Sequence, residues 1–205
     1  MFKLILIITF IFSFLFSSCS SQKNDYEALI KTIESLKSPI NKMEDDSIEL
    51  VDHCFKIEEV LLKGYIYQKE IKLNHKVKPS YNFFEWIDKK YEWILNDSEI
   101  NNMIESLRKQ KKVFWQKEKL KKSKKIIKLV DYQAFTDHVL EDMERKKRIK
   151  SDKFIYFFSK PVFNKKKDIF IIQFEILLLP YSKMTLIYKK EHGFWIQIAS
   201  LSPNW

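Results

Sequence analysis

The sequence predicts an α+β fold: N-terminal amphipathic helices followed by a C-terminal antiparallel β-meander of about four strands. Three observations carry this. Apolar residues recur at three-to-four spacing in several segments before residue 148. After residue 154 the period falls towards two, with aromatic and β-branched residues in runs. The connections between those last runs are short, which suits neighbouring antiparallel strands. Helices first and sheet last is the α+β order.

Tyr26, Leu29, Ile30, Ile33 and Leu36 fall on one helical face, so about 25–37 is a helix, ended by Pro39. Asp46 or Ser47 can cap a second helix carrying Ile48, Val51, Phe55 and Leu62, with Gly64 near its end. Residues 65–81 fit neither period, and Pro79 breaks them. Phe83, Phe84, Ile87, Tyr91, Ile94 and Leu95 predict a helix over 82–95. Asn96 and Glu99 have capping-box spacing before a helix with Ile100, Met103, Ile104 and Leu107 on one face. Residues 113–115 and 126–130 read as short strands, and 132–148 as a helix with Phe135, Val139 and Met143 inward. Strands are expected at 154–158, 168–179, 184–188 and 194–201, with a tight turn at His192-Gly193. No repeat or low-complexity linker interrupts the chain, so 26–205 is read as one domain, helical over 26–148 and mainly β over 154–201.

The first residues follow a different logic. Lys3 precedes thirteen uncharged residues, Leu4 to Phe16, a length suited to a signal peptide and too short to span a bilayer. Ser17, Ser18 and Cys19 follow. A small residue before a lone cysteine at this place resembles the lipobox of bacterial lipoproteins, with Phe16 standing where Leu is commonest. The resemblance implies a signal peptide over 1–18, a lipidated Cys19, a tether over 19–25 and a cell-envelope location at the outer membrane. Two buried acyl chains anchor a protein stably. A second resemblance covers about residues 95–200. Ser159-Lys160-Pro161-Val162-Phe163-Asn164, then Lys190, Gly193 and Trp195, is similar to the S-x-P-[IV]-F-N turn and K-x-x-G-x-W strand of a set of uncharacterised lipoproteins from Bacteroidota. It implies an envelope address and no particular chemistry. The motif also has a purely conformational reading: proline imposes extended backbone before it, and asparagine favours a turn.

Composition excludes several chemistries. The chain has two glycines in 205 residues, Gly64 and Gly193, so a P-loop, a dinucleotide fingerprint and a nucleophile elbow cannot be assembled. No two of the four histidines stand at i, i+4, no cysteine pair has zinc spacing, and no metal or other cofactor is expected. With Cys19 lipidated, Cys54 is left with no cysteine partner in the chain.

Charge is unevenly distributed. Residues 23–107 carry 12 Lys against 17 Asp or Glu, whereas 108–128 carry 11 basic residues against Glu118 alone. Further basic clusters lie at Arg145–Lys153 and Lys165–Lys167. The 108–128 run offers an anion-contact surface, with Lys111, Lys112, Lys117, Lys121, Lys124 and Lys125 as its candidates. The alternative is a solvated surface, since these lysines run nearly all round a helical wheel. An envelope address makes nucleic acid an unexpected partner.

Three other constellations carry chemistry-bearing side chains. His138 and Asp142, with Asp137 and Glu141 adjacent, could orient a general base or form a surface ion pair. His53-Cys54 invites a thiol–imidazole reading, against which neighbouring residues on a helix point about 100° apart. Asp45, Asp46, Glu49 and Asp52 complement a helix start and lack the loop glycine of a calcium site. The sequence therefore predicts a non-enzymatic, lipid-anchored binding or structural domain whose partner is an anionic envelope component or a protein. One alternative is an enzyme with a dispersed site around His138 and Asp142. Another is an immunity-type lipoprotein that neutralises a toxin of opposite charge.

Overall fold

The computed structural model describes residues 22–36, 47–73, 84–144, 154–177 and 182–201. The expected signal peptide, Cys19, Asp45, Asp46 and the Arg145–Lys153 cluster lie outside them. The fold is α+β, with an eight-stranded, mostly antiparallel mixed sheet that is larger than the expected meander.

In chain order the elements are α1 (22–35), β1 (Ser47–Val51), α2 (Glu59–Leu73), β2 (Phe84–Ile87), α3 (Asp97–Arg108), the single turn α4 (Lys117–Leu120), β3 (Ile126–Val130), α5 (Tyr132–Glu144), β4 (Ile155–Phe158), β5 (Val162–Phe163), β6 (Ile169–Ile176), β7 (Met184–Glu191) and β8 (Phe194–Leu201). Strand order is β2-β8-β7-β6-β4-β1-β3, with β5 also paired to β6. The expected antiparallel run is present as β4, β6, β7 and β8. β1 lies parallel to both β3 and β4, and β2 joins the other edge against β8.

Period-two alternation feeds two cores. Phe170, Ile172 and Phe174 of β6, with Leu186 and Tyr188 of β7, join the core under α1. Ile169, Ile171 and Ile187 point the other way, into the core under α2 and α3. The apolar run of β6 is thus a strand covered on both faces, as continuous hydrophobicity requires. A third cluster joins Val51, Ile155 and Phe157 to Tyr132 and Phe135 of α5.

The β7–β8 turn is as expected. His192 (φ 49°) and Gly193 (φ 85°) are both left-handed, the pair a type I′ hairpin needs. The α3 capping box also forms: Glu99 N donates to Asn96 Oδ1 at 2.9 Å, and Asn96 N donates to Glu99 Oε2 at 3.1 Å.

Four expectations are corrected. Residues 47–51 are a strand, because Ile48 and Leu50 alternate into the core while the backbone pairs with Ile126–Val130. Gly64 lies inside α2 and does not end a helix. The 82–95 segment is β2 followed by a 3₁₀ turn at Lys89–Tyr91, which Asp88 caps through Lys90 N at 3.0 Å. Trp93 at φ 55° then stops any continuation, since left-handed backbone has no place in a helix. Finally, the helix starts at residue 22, inside the stretch expected to be tether, and Asp25 is buried.

Candidate functional site

The basic middle segment does not form a helix with lysines all round. It runs as extended chain, one turn of α4 and a tight turn along α1. Aromatic packing sets this course: Trp115 meets Tyr26 edge-on at 5.5 Å, and Tyr26 Oη accepts from Gln116 N at 2.8 Å. Lys119 donates to Gln22 Oε1 at 2.8 Å and stands over the Tyr26 ring at 5.1 Å. Further on, Lys124 N donates to Glu34 Oε1, and Lys125 Nζ donates to Leu36 O at 2.7 Å, satisfying a carbonyl just past the end of α1.

The six candidate lysines are consequently dispersed. Lys112 covers the exposed Phe114 ring at 4.9 Å. Lys117 is exposed at the start of α4, and Lys121 pairs with Glu118 at 2.5 Å. Lys124 and Lys125 belong to the α1 seam. Of the six, Lys111 alone lines either of two clefts among the described residues.

The first cleft, of about 650 Å³, lies between the end of α3 and the Lys160–Lys167 turn. Lys109, Lys111, Lys160, Lys165 and Lys167 line it, against the carboxylates of Asp25 and Glu105. Lys109 and Glu105 pair along α3 at 3.6 Å. Lys160 Nζ stands 3.3 Å from Asp25 Oδ2, close enough for charge attraction. Burial pushes the Asp25 carboxyl above its ordinary range, outweighing the downward pull of Lys160 and Lys167. Gln110 Nε2 donates to Pro161 O at 3.1 Å, and its Oε1 is buried without a donor among the described residues.

The Ser159–Asn164 motif builds this cleft with its backbone. Ser159 Oγ accepts from Gln173 N at 2.8 Å. Asn164 Oδ1 accepts from Asp168 N and Ile169 N, both at 3.1 Å, while Nδ2 donates to Asp168 and Glu99. The conformational reading of the motif accounts for these polar groups, and their effect is to bring Lys160, Lys165 and Lys167 to one wall.

The second cleft is a groove of about 520 Å³ along α1, between α4 and the β7–β8 tip. Its floor is Tyr26, Ile30 and Trp195, and its rim carries Lys23, Lys31, Lys119, Lys122, Glu27 and Glu34. Gly193 and Trp195 of the Lys190-x-x-Gly193-x-Trp195 motif line it. Trp195 Nε1 and Lys190 Nζ both donate to Glu27 Oε1, at 2.7 and 3.3 Å, with Lys190 5.2 Å above the indole. Sequence reasoning missed Asp25, Lys160, Glu27 and Lys190 as partners, because each pair joins segments more than a hundred residues apart.

The described residues of the other constellations line neither cleft. His138 and Glu141 are exposed on α5 and line neither cleft, and the Asp142 side chain lies outside the described residues. His53 Nδ1 meets Asp52 Oδ1 at 2.8 Å inside a ring of Phe114, Tyr132 and Phe157. Cys54 follows in extended chain, where consecutive side chains diverge to opposite faces. Its buried sulfur accepts from Val113 N at 3.4 Å, and burial pushes the thiol pKa up, so it is held as an inert thiol. Among the described residues no cluster of three His, Cys, Asp or Glu could hold a metal ion. Compared with protein-family models, curated proteins and solved structures, the chain matches none.

Proposed function

We propose that this chain is a lipid-anchored domain of the bacterial cell envelope, held at the outer membrane through Cys19, that binds an anionic envelope component in its lysine cleft. The observation that carries the reading is the convergence of five lysines on one cleft opposed by two carboxylates. The volume is that of an ordinary ligand pocket. The groups that meet there are ammonium ions, side-chain amides and two carboxylates, with Ser106 Oγ already donating to Asn102 O. Such a set suits holding charge more than transferring it. Lysines act as point charges without the planar fork of arginine, so the fitting ligand is a flexible polyanion bearing phosphates or carboxylates.

The test has two arms. Intact mass and membrane partition of the native chain, beside Cys19→Ala, read the anchor: a lipidated mass and release of the variant are expected. Calorimetric titration with inorganic tripolyphosphate reads the cleft. Two charges about 7 Å apart in a water-like dielectric attract by roughly 0.6 kcal/mol, so Lys165→Gln/Lys167→Gln is expected to weaken binding about fivefold or more. Equal affinity in the double variant, or affinity insensitive to salt, contradicts the cleft assignment.

A further inference from the structure

The end of the molecule at which α1 begins carries an unusual combination. Gln22 is three residues beyond Cys19, and an extended chain advances about 3.3–3.6 Å per residue. A lipid on Cys19 would therefore hold the first turn of α1 within roughly 11 Å of the headgroups, close to the Debye length of about 8 Å at physiological salt. Charges on that turn and its neighbours would feel the bilayer.

Those charges are mainly positive. Lys23 and Lys122 are exposed on the groove that Gln22 lines, and Lys119 is tied to Gln22 itself. Across the groove stands Phe194, 75% exposed at the tip of the β7–β8 hairpin. A single exposed aromatic is ordinary on a protein surface. This one shares a groove with three lysines and the residue nearest the anchor, which is how interfacial surfaces pair an apolar wedge with cations.

The tip is also firmly placed. Trp195 is fixed to Glu27 of α1, and the type I′ turn leaves Phe194 little freedom to retract. Lys119, Tyr26 and Gln116 lock the other wall to the same helix. The first turn of α1, the cations and the wedge thus belong to one braced end of the fold.

We propose that this end, made of the first turn of α1, Lys119, Lys122 and Phe194, seats directly on an anionic lipid bilayer, with Phe194 in the interfacial layer. It rests on the anchoring part of the reading above and adds orientation: the domain lies docked, not swinging on its lipid. The opposite sheet face, with α2 and exposed Lys56 and Lys63, points away from that surface.

The test is per-lysine acetylation, read by mass spectrometry, of the full chain in vesicles of phosphatidylcholine with or without 30 mol% phosphatidylglycerol (approximate composition). Lys23 and Lys122 are expected to react several-fold more slowly on the anionic vesicles, with Lys56 and Lys63 unchanged. At about 1 M salt the Debye length falls to roughly 3 Å and the protection should vanish. Lys122→Gln should cut the protection roughly fivefold, the contribution of one lysine near an anionic surface. Phe194→Ser, on an exposed side chain that folding does not need, should also reduce it. Equal rates on the two vesicle types overturn the proposal. Intact mass of the same sample separates the two readings: lipid without protection removes the docking and leaves the anchor, while protection without lipid does the reverse.

Discussion

Leu29→Ala tests whether α1 is part of the folded core or a detachable extension of the tether. Leu29 is fully buried on the middle of α1, in the cluster that holds Phe170, Ile172 and Tyr188. The substitution removes three carbons, about 2.4 kcal/mol at roughly 0.8 kcal/mol per buried methylene. The opposing sheet face cannot collapse into the space, so a residual cavity adds about 1 kcal/mol more. The expected loss is about 3.5 kcal/mol, which for a domain of this size lowers Tm by roughly 7–14 °C. Urea denaturation of wild type and variant measures it, with an unchanged m-value showing that the same surface is exposed on unfolding. A loss below about 1 kcal/mol would mean that α1 frays from the sheet. That result would refute the packing argument and also the rigid seating of the first turn, since Gln22, Glu27 and Lys119 would lose their common support.

Two further predictions concern the lysine cleft. Asn164→Ala leaves the Asp168 and Ile169 amides without their acceptor and uncouples the turn from Glu99, so a loss of about 2–4 kcal/mol is expected in the same denaturation assay. An effect within ordinary surface scatter would return the motif from a fold role to a site role. Asp25 supplies a pH signature. Its folded carboxyl pKa is raised, so just above its ordinary value of 3.8 the native state binds more protons than the unfolded state, and this contribution to stability is lost as pH rises through the folded pKa. Asp25→Asn removes that slope. The Tm of the variant minus that of wild type should therefore increase from pH 3.5 towards neutrality, and a flat difference would contradict the burial argument.

Much of the α+β organisation was legible because it is local. The capping box at Asn96–Glu99, the apolar face of α3 and the left-handed pair His192-Gly193 each depend on residues within a few positions. The alternation in the last fifty residues announced strands, and the structure shows the continuous run of β6 covered on both faces. β1 and β2 were misread for the opposite reason. Ile48, Val51 and Phe55 satisfy helical spacing as well as they satisfy a strand, and only the parallel partners at 126–130 and 155–156 decide between them. Likewise Phe84 and Ile87 become strand residues because β8 presents Leu201 and Ala199.

The candidate site divides along the same line. Sequence alone determined that the middle of the chain is basic, that glycine-built phosphate loops and local metal motifs are absent, and that turns fall at Asn164 and at His192-Gly193. Only the tertiary structure decided which lysines act together. It dispersed most of the 111–125 group along α1, and it gathered Asp25, Lys109, Lys111, Lys160, Lys165 and Lys167 around one cleft. It also joined Glu27 to Lys190 and Trp195, more than a hundred and sixty residues away in the chain. The reason is physical: caps, turns and periodicity are set by neighbours along the backbone, whereas a cleft is made where distant segments are brought side by side by the burial of their apolar faces.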